Sequence, residues 1–507
     1  MAFGYIMPTI VVGAMTKIPK HLLLSVDKEK KALTVSNTSK WIKIKRGFGK
    51  VADDEPDFYY LFEEDKHNLY VPRNHTPVLR NDVLRDHDYR VITPDFSSRK
   101  TVLGVDRVSL GPNEWQPEDQ QPAFDSLVKP TAWPYGKILA LRCGFGKTVC
   151  ALKAAHARGV RTLWVTVTTL LIEQIKPEIE KCLGILPEDV GHIQGNKQNW
   201  KGRSISVAML HTLACREYTQ EFWDYFGLII FDEGDMLGVN TFSKIAGKFS
   251  GERWLLTATP ERDDKMGVLF EKHTGPVCYK NLEYTLKPDC YIVKTDVDSK
   301  CEHKSGWDSV RREQRTHFAV TAKKLLLDTN RHELLLSQIA KATEHDRTCL
   351  VLGDSVEGLV YAYGQARKTL ANRTHSLIVG KVKQSERPAL INASQVVWAN
   401  SRLAYRGLDR QAFDTLIIAT VIGAKTAFWL QAIGRILRYK LGKKPPIVVL
   451  LVDNTIGPVA AIAAKILMIF KKAGWPVHNA DGTINEYKAR IKAMRDNDAM
   501  DRQDSRY

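Results

Sequence analysis

Three short stretches of this chain gather residues that handle phosphate, metal and water. In the first, Arg142-Cys143-Gly144-Phe145-Gly146-Lys147-Thr148 follows an apolar run at 137–141 and opens a helical stretch, 147–158, that stops at Gly159. A strand, a glycine-bearing turn and a helix N-terminus aim backbone N–H groups at an anion, and small residues let the backbone come close. Lys147 is placed to reach the β and γ phosphates of a nucleotide, and the Thr148 hydroxyl to bind Mg²⁺. The full phosphate-loop pattern wants a glycine five places before Gly146, where this chain has Leu141. In the second stretch, four apolar residues at 228–231 precede Asp232 and Glu233. Carboxylates at the C-terminal end of a buried strand lie where open α/β sheets bind ligands. Asp232 is suited to the metal shell, and Glu233 to orienting or deprotonating the attacking water. The third stretch, 431–438, spaces Gln431, Arg435 and Arg438 at i, i+4 and i+7, which a helix gathers on one face. Two arginines there can stabilise charge developing on a γ phosphate.

Such groups need elements to hold them. From Lys137 onward, β-branched runs alternate with amphipathic stretches, the pattern of parallel sheets covered by helices. One series of strands falls at 137–141, 162–167, 204–209, 228–231 and 254–258. A second falls at 349–353, 376–380, 396–400, 415–420 and 447–452. The basic stretch between them, 298–347, reads as helical. Residues 1–108 look different, with β runs at 32–36, 58–62 and 68–73, and with cations beside aromatics at 41–50. The expected organisation is a β-rich N-terminal domain (1–108), two α/β domains (109–280 and 281–477) and a charged tail (478–507).

The net charge of +17 produces a long-range positive field that suits a polyanion such as nucleic acid. Eight cysteines without a CxxC pair argue against a zinc ribbon or a disulfide framework, and fit a reducing compartment. The longest apolar tract, 459–470, is about half a membrane span and contains Lys465. These features read as a soluble, intracellular protein with no membrane partner, in the host cytoplasm if phage-encoded.

The ordered set 143–148, 232–235, 257–264, 404–409 and 431–438 resembles the superfamily 2 helicases and translocases over roughly residues 113–455. The resemblance implies two tandem RecA-like domains, ATP and Mg²⁺ as cofactors, and an ATP hydrolase coupled to DNA unwinding or translocation. The sequence at 257–264, Gln431 at the head of the last motif, and the stretch 165–174 favour the duplex-DNA branch. The motifs look like those of phage UvsW-type branch-migration helicases and related helicases of large DNA viruses, with RecG and XPB more distant. The implied activity is unwinding or branch migration of forked and branched DNA in recombination, repair or fork rescue, alongside recombination or replication proteins. A transcript-release factor, an RNA helicase on the same motor, and an ATP-gated annealing clamp are the alternatives.

The resemblance also assigns residues. Gln120 matches the glutamine that recognises adenine, with Gln121 beside it, and Arg142, Cys143, Gly144, Phe145 and Gly146 join Lys147 and Thr148 around the phosphates. Asp409 is assigned to the ribose or the interdomain network, and Asp235 to a hydrogen bond from Gln431. Arg406 stands where Glu or Gln is common. Thr168, Thr169, His211, Thr212 and Arg402 resemble strand-tracking positions that meet phosphates. In the N-terminal region Lys43, Lys45, Arg46 and Lys50 are candidates for duplex or branch-point DNA.

Overall fold

Apolar runs buried on both sides dictate parallel sheets, because each such strand needs cover on both faces. The computed structural model describes residues 8–37, 56–75, 84, 89–93, 95–105, 117–130, 136–234, 237–262, 264–284, 286–308, 313–383, 386–401, 410, 412–421, 426–438 and 442–479. The chain forms two compact units, Met1–Glu283 with Asp308–Arg312, and Tyr284–Trp307 with Glu313–Tyr507.

In the first unit, β1 (Thr9–Val12), β2 (Thr16–Pro19), β3 (Thr34–Ser36), β4 (Phe58–Tyr60), β5 (Glu63–Glu64), β6 (Asn68–Val71) and β7 (Arg90–Ile92) lead the chain. They give a five-stranded sheet, β5-β6-β2-β1-β7, and a separate β3–β4 pair. The α/β layer follows with β8 (Gly136–Leu141), β9 (Thr162–Thr166), β10 (Gly191–Gln194), β11 (Lys197–Asn199), β12 (Ile205–Met209), β13 (Leu228–Phe231), β14 (Glu252–Thr257) and β15 (Val277–Asn281). Their order is β11-β10-β12-β9-β13-β14-β8-β15, antiparallel at β10–β11 and parallel in every other pairing.

Alternation along the strands sorts this core into two layers. Leu228, Ile230 and Trp254 pack with the helices Lys147–Arg158 and Thr169–Leu183 on one face. Ile229, Phe231 and Leu255 join Ile10, Ile18, Leu69 and Val71 of the N-terminal sheet in one continuous core. Two buried arginines tie these parts together. Arg73, 1% exposed, donates to the carbonyls of Gly13, Phe249, Ser250 and Gly251. Arg253 donates to those of Ala14, Phe249 and His273. Burial, reinforced by the Arg73 charge, pushes the Arg253 pKa well below its ordinary value, and burial beside Arg253 depresses His273 to about 3.

The second unit repeats the architecture. It comprises β16 (Asp289–Thr295), β17 (Lys304–Asp308), β18 (Glu313–Thr316), β19 (Cys349–Gly353), β20 (His375–Ile378), β21 (Val396–Asn400), β22 (Thr415–Ile418), β23 (Ile447–Asp453) and β24 (Val477–Asn479). Seven strands form a parallel sheet, β20-β21-β19-β22-β23-β16-β24. Leu350, Val397 and Leu416 face one core, while Val351, Trp398 and Ile417 face the other. Beneath the strand ends, Arg331 pairs with Asp453 at 2.7 Å, and both are buried. Arg331 also donates to the Ala419 carbonyl, and the Thr295 hydroxyl donates to Asp453. Two parallel sheets preceded by a smaller β-rich sheet are the architecture expected from the sequence.

One segment departs from expectation. Lys304–Asp308 and Glu313–Thr316, read as part of a helical stretch, form the two-stranded sheet β17–β18. Gly306 sits there at φ +70°, a backbone conformation no α-helix interior contains. The α-helices of this stretch begin only afterwards, at Phe318–Leu327 and Thr329–Glu344. No helix among the described residues is long and apolar enough to cross a membrane.

Candidate nucleotide and nucleic-acid site

β8 ends at Leu141, and the helix Lys147–Arg158 starts six residues further on with Gly146 as its N-cap. The turn between them needs its glycines. Gly144 has φ +78° and Gly146 has φ +96°. A Cβ at Gly146 would also stand 2.2 Å from Gln120 Nε2. Gln120 is buried on the helix Pro117–Val128, and its Nε2 donates to the Phe145 carbonyl at 2.5 Å. Gln121, by contrast, donates to Asp125 along its own helix. The structure thus turns Gln120, not its neighbour, toward the phosphate loop.

That helix is itself anchored to the phosphate-loop strand. Lys137 at the start of β8 is buried, and its Nζ donates to the carbonyls of Ser126, Leu127 and Lys129 at the helix C-terminus. An ammonium group there satisfies orphan carbonyls and complements the helix dipole. Arg142 donates its backbone N–H to the Asn281 carbonyl, and its guanidinium lies 4.9 Å from the centre of the buried Phe145 ring. Lys147 Nζ donates to the Leu141 carbonyl at 3.3 Å, across the loop it follows. Cys143 is half-buried, and Thr148 is half-buried in the first helical turn.

Asp232 and Glu233 emerge from β13 at the same edge. Phe231 is in register with Leu255, and Thr257 with Ala140. The acids therefore stand two strand spacings from the phosphate loop, roughly 10 Å at ~4.8 Å per spacing. The Glu233 N–H donates to Asp232 Oδ1 at 2.8 Å. Glu233 has φ +52°, a left-handed conformation rarely adopted by residues with a side chain. The following Gly234 bonds through its N–H to the Leu256 carbonyl.

Sequence reasoning missed Arg262, which ties this acidic turn to the loop after β14. It donates to the Gly234 carbonyl at 2.9 Å and makes a two-pronged pair with Asp264 at 3.0 and 2.8 Å. Its place in the 257–264 motif was the available signal. Asp235 lies outside the described residues, so the contact expected of it is not among those described.

Three loops at the C-terminal edge of the first α/β sheet bring the strand-tracking candidates together. Thr168 caps the helix Thr169–Leu183 by accepting the Leu171 N–H. Thr169 Oγ1 accepts from Gln194, and Thr212 Oγ1 accepts the Gly195 N–H. His211 lies one turn from Cys215, its Nε2 3.5 Å from the sulfur. Lys43, Lys45, Arg46, Lys50, Arg402, Arg406 and Asp409 lie outside the described residues.

In the second unit Gln431 is buried on the helix Thr426–Gly434. The single helical face expected for 431–438 is corrected here, because the α-helix ends at Gly434. Arg435, Ile436 and Leu437 donate to carbonyls three residues back, in successive tight turns. Glycine is the poorest helix former after proline, and here it closes the helix. Arg435 and Arg438, both half-buried, are therefore three apart in tight turns, a spacing that still aligns side chains.

Residues 117–262 match the family model described as the res subunit of type III restriction enzymes. The protein L396 of Acanthamoeba polyphaga mimivirus, which carries the name of an ATP-dependent RNA helicase, is 27% identical over 347 residues, 66% of this chain and 63% of its own. The DNA 3'-5' translocase XPB2 of Sulfurisphaera tokodaii is 34% identical over 194 residues, 37% of this chain and 42% of its own. This chain spans less than two thirds of the length of either relative. The crystal structure of T4 UvsW aligns over 94% of this chain and 99% of its own, at 13% identity and a TM-score of 0.37. The matched segment, 117–262, holds both the phosphate loop and the paired acids, and it is this segment that resembles the res-subunit family.

Proposed function

We propose that this protein is an ATP-dependent DNA helicase or translocase acting on forked or branched DNA in recombination, repair or fork rescue. The observation that supports it most is the shared edge of β8 and β13, where the phosphate loop and the Asp232–Glu233 turn lie two strands apart. Backbone N–H groups of 144–148 and Lys147 bind and orient the phosphates, and Gln120 contacts adenine. The Thr148 hydroxyl and the Asp232 carboxylate are hard oxygen donors of the kind Mg²⁺ takes, and they would hold it. When bound, that ion neutralises phosphate charge. Glu233, held by its positive-φ turn, orients the attacking water and accepts its proton. Arg435 and Arg438 are the second unit's candidates for stabilising phosphate charge. Thr168, Thr169, His211 and Thr212 grip a strand whose displacement turnover drives.

Lys147→Ala is expected to abolish ATP turnover, and Glu233→Gln to bind ATP yet hydrolyse it very slowly. Near-normal turnover in both folded variants would sink the assignment. Strand separation should be compared across single-stranded DNA, forks, four-way junctions and RNA duplexes. The name carried by L396 favours a second reading, an RNA helicase, and preference for the RNA duplex would establish that one instead.

A further inference from the structure

β10 and β11 form a short antiparallel hairpin at one edge of the first α/β sheet, turning at Gly195-Asn196. Gln194 and Lys197 are directly opposed in its register. Opposed residues of an antiparallel pair project from the same face of the sheet. Gln194 reaches Thr169 Oγ1 at 2.7 Å, so that face is the one beside the first turn of the helix Thr169–Leu183. Lys197 is exposed on it. On the helix, Lys176 lies seven residues beyond Thr169, two turns along the same side, and is half-buried. Lys197 thus shares the face on which Gln194 meets Thr169, and Lys176 lies on the same side of the helix two turns further on.

Among the described residues, neither lysine pairs with a carboxylate. Glu173, one turn before Lys176, is exposed and makes no ion pair with either. Burial and the neighbouring Lys197 charge together push the Lys176 pKa down. Two like charges held on one face, with a glycine turn open on its outer side, suit an anion that neutralises both.

We propose that Lys176 and Lys197 flank a backbone phosphodiester of the unpaired strand tracked by Thr168, Thr169 and Thr212. This extends the strand path across the β10–β11 hairpin, and it rests on the nucleic-acid motor reading above. The contact is to phosphate, so it carries no base preference.

The test measures affinity of the full chain for labelled dT30 and rU30 across a salt titration. Each phosphate contact on a single strand contributes about 0.7 to the log–log salt slope. Lys176→Ala/Lys197→Ala should flatten the slope by at least about 0.7, while Lys176→Arg/Lys197→Arg keeps it. A flattened slope with only one of the two oligonucleotides identifies the strand chemistry. Thermal unfolding of both variants controls for folding. An unchanged slope in the folded alanine variant overturns the inference, as does weaker binding with the slope intact. If the wild-type chain binds neither oligonucleotide at low salt, the motor reading itself fails.

Discussion

At the scale of single residues, the amide of Gln120 holds the carbonyl that lies between the two glycines of the phosphate loop. Removing it leaves a buried acceptor unpaired, at a cost of about 1–3 kcal/mol. Gln120→Ala is therefore expected to weaken ATP binding about tenfold, since 1.4 kcal/mol is one decade. It should also erode the preference for ATP over GTP, measurable by competition with a fluorescent nucleotide. Equal weakening from Gln121→Ala would refute the assignment, because Gln121 bonds only along its own helix. The phosphate loop, Asp232 and Glu233 were legible in the sequence because their chemistry is local, a few residues after an apolar run. Lys137 and Arg262 were not. The partners of Lys137, and the Gly234 partner of Arg262, are carbonyl groups brought to them by the fold, and no residue type marks a carbonyl in a sequence.

Elements were legible where burial is symmetrical. Runs such as 228–231 and 447–452 are apolar throughout because helices or a second sheet cover both faces. The β10–β11 hairpin escaped because its strands are short and polar and lie at a sheet edge. The β17–β18 pair departs from the helix expected over 298–347 because its charged residues mask a two-residue period. The composition of 1–108 suggests a detachable module, yet its sheet shares a core with the first α/β layer. Arg73 is central to that junction, with four carbonyls around one guanidinium. Hydrogen bonds to charged groups contribute about 1.5–3 kcal/mol each, not additively. Arg73→Met should lower unfolding free energy by about 3 kcal/mol or more, read as a reduced urea midpoint at constant slope. A midpoint shift worth less than about 1 kcal/mol would show that the apolar core alone holds the two sheets together.

At the scale of the whole molecule, the charge of +17 produces a positive field that suits a polyanion. The candidate residues fall in both units. The phosphate loop and the acids belong to the first, while Gln431, Arg435 and Arg438 belong to the second. An arginine supplied to a transferring phosphoryl group contributes roughly 10³–10⁵ in rate in other nucleotide hydrolases. Arg438→Ala should therefore keep nucleotide binding, because the phosphate loop is untouched. DNA-stimulated turnover should fall by roughly a thousandfold on that scale. Arg438→Lys should recover little, since a point charge lacks the planar fork that meets two phosphate oxygens. Measured against single-stranded DNA at saturating ATP, stimulated turnover within about twofold of wild type would make Arg438 a surface residue. The coupling between nucleic acid and hydrolysis would then have to pass through other groups of the second unit.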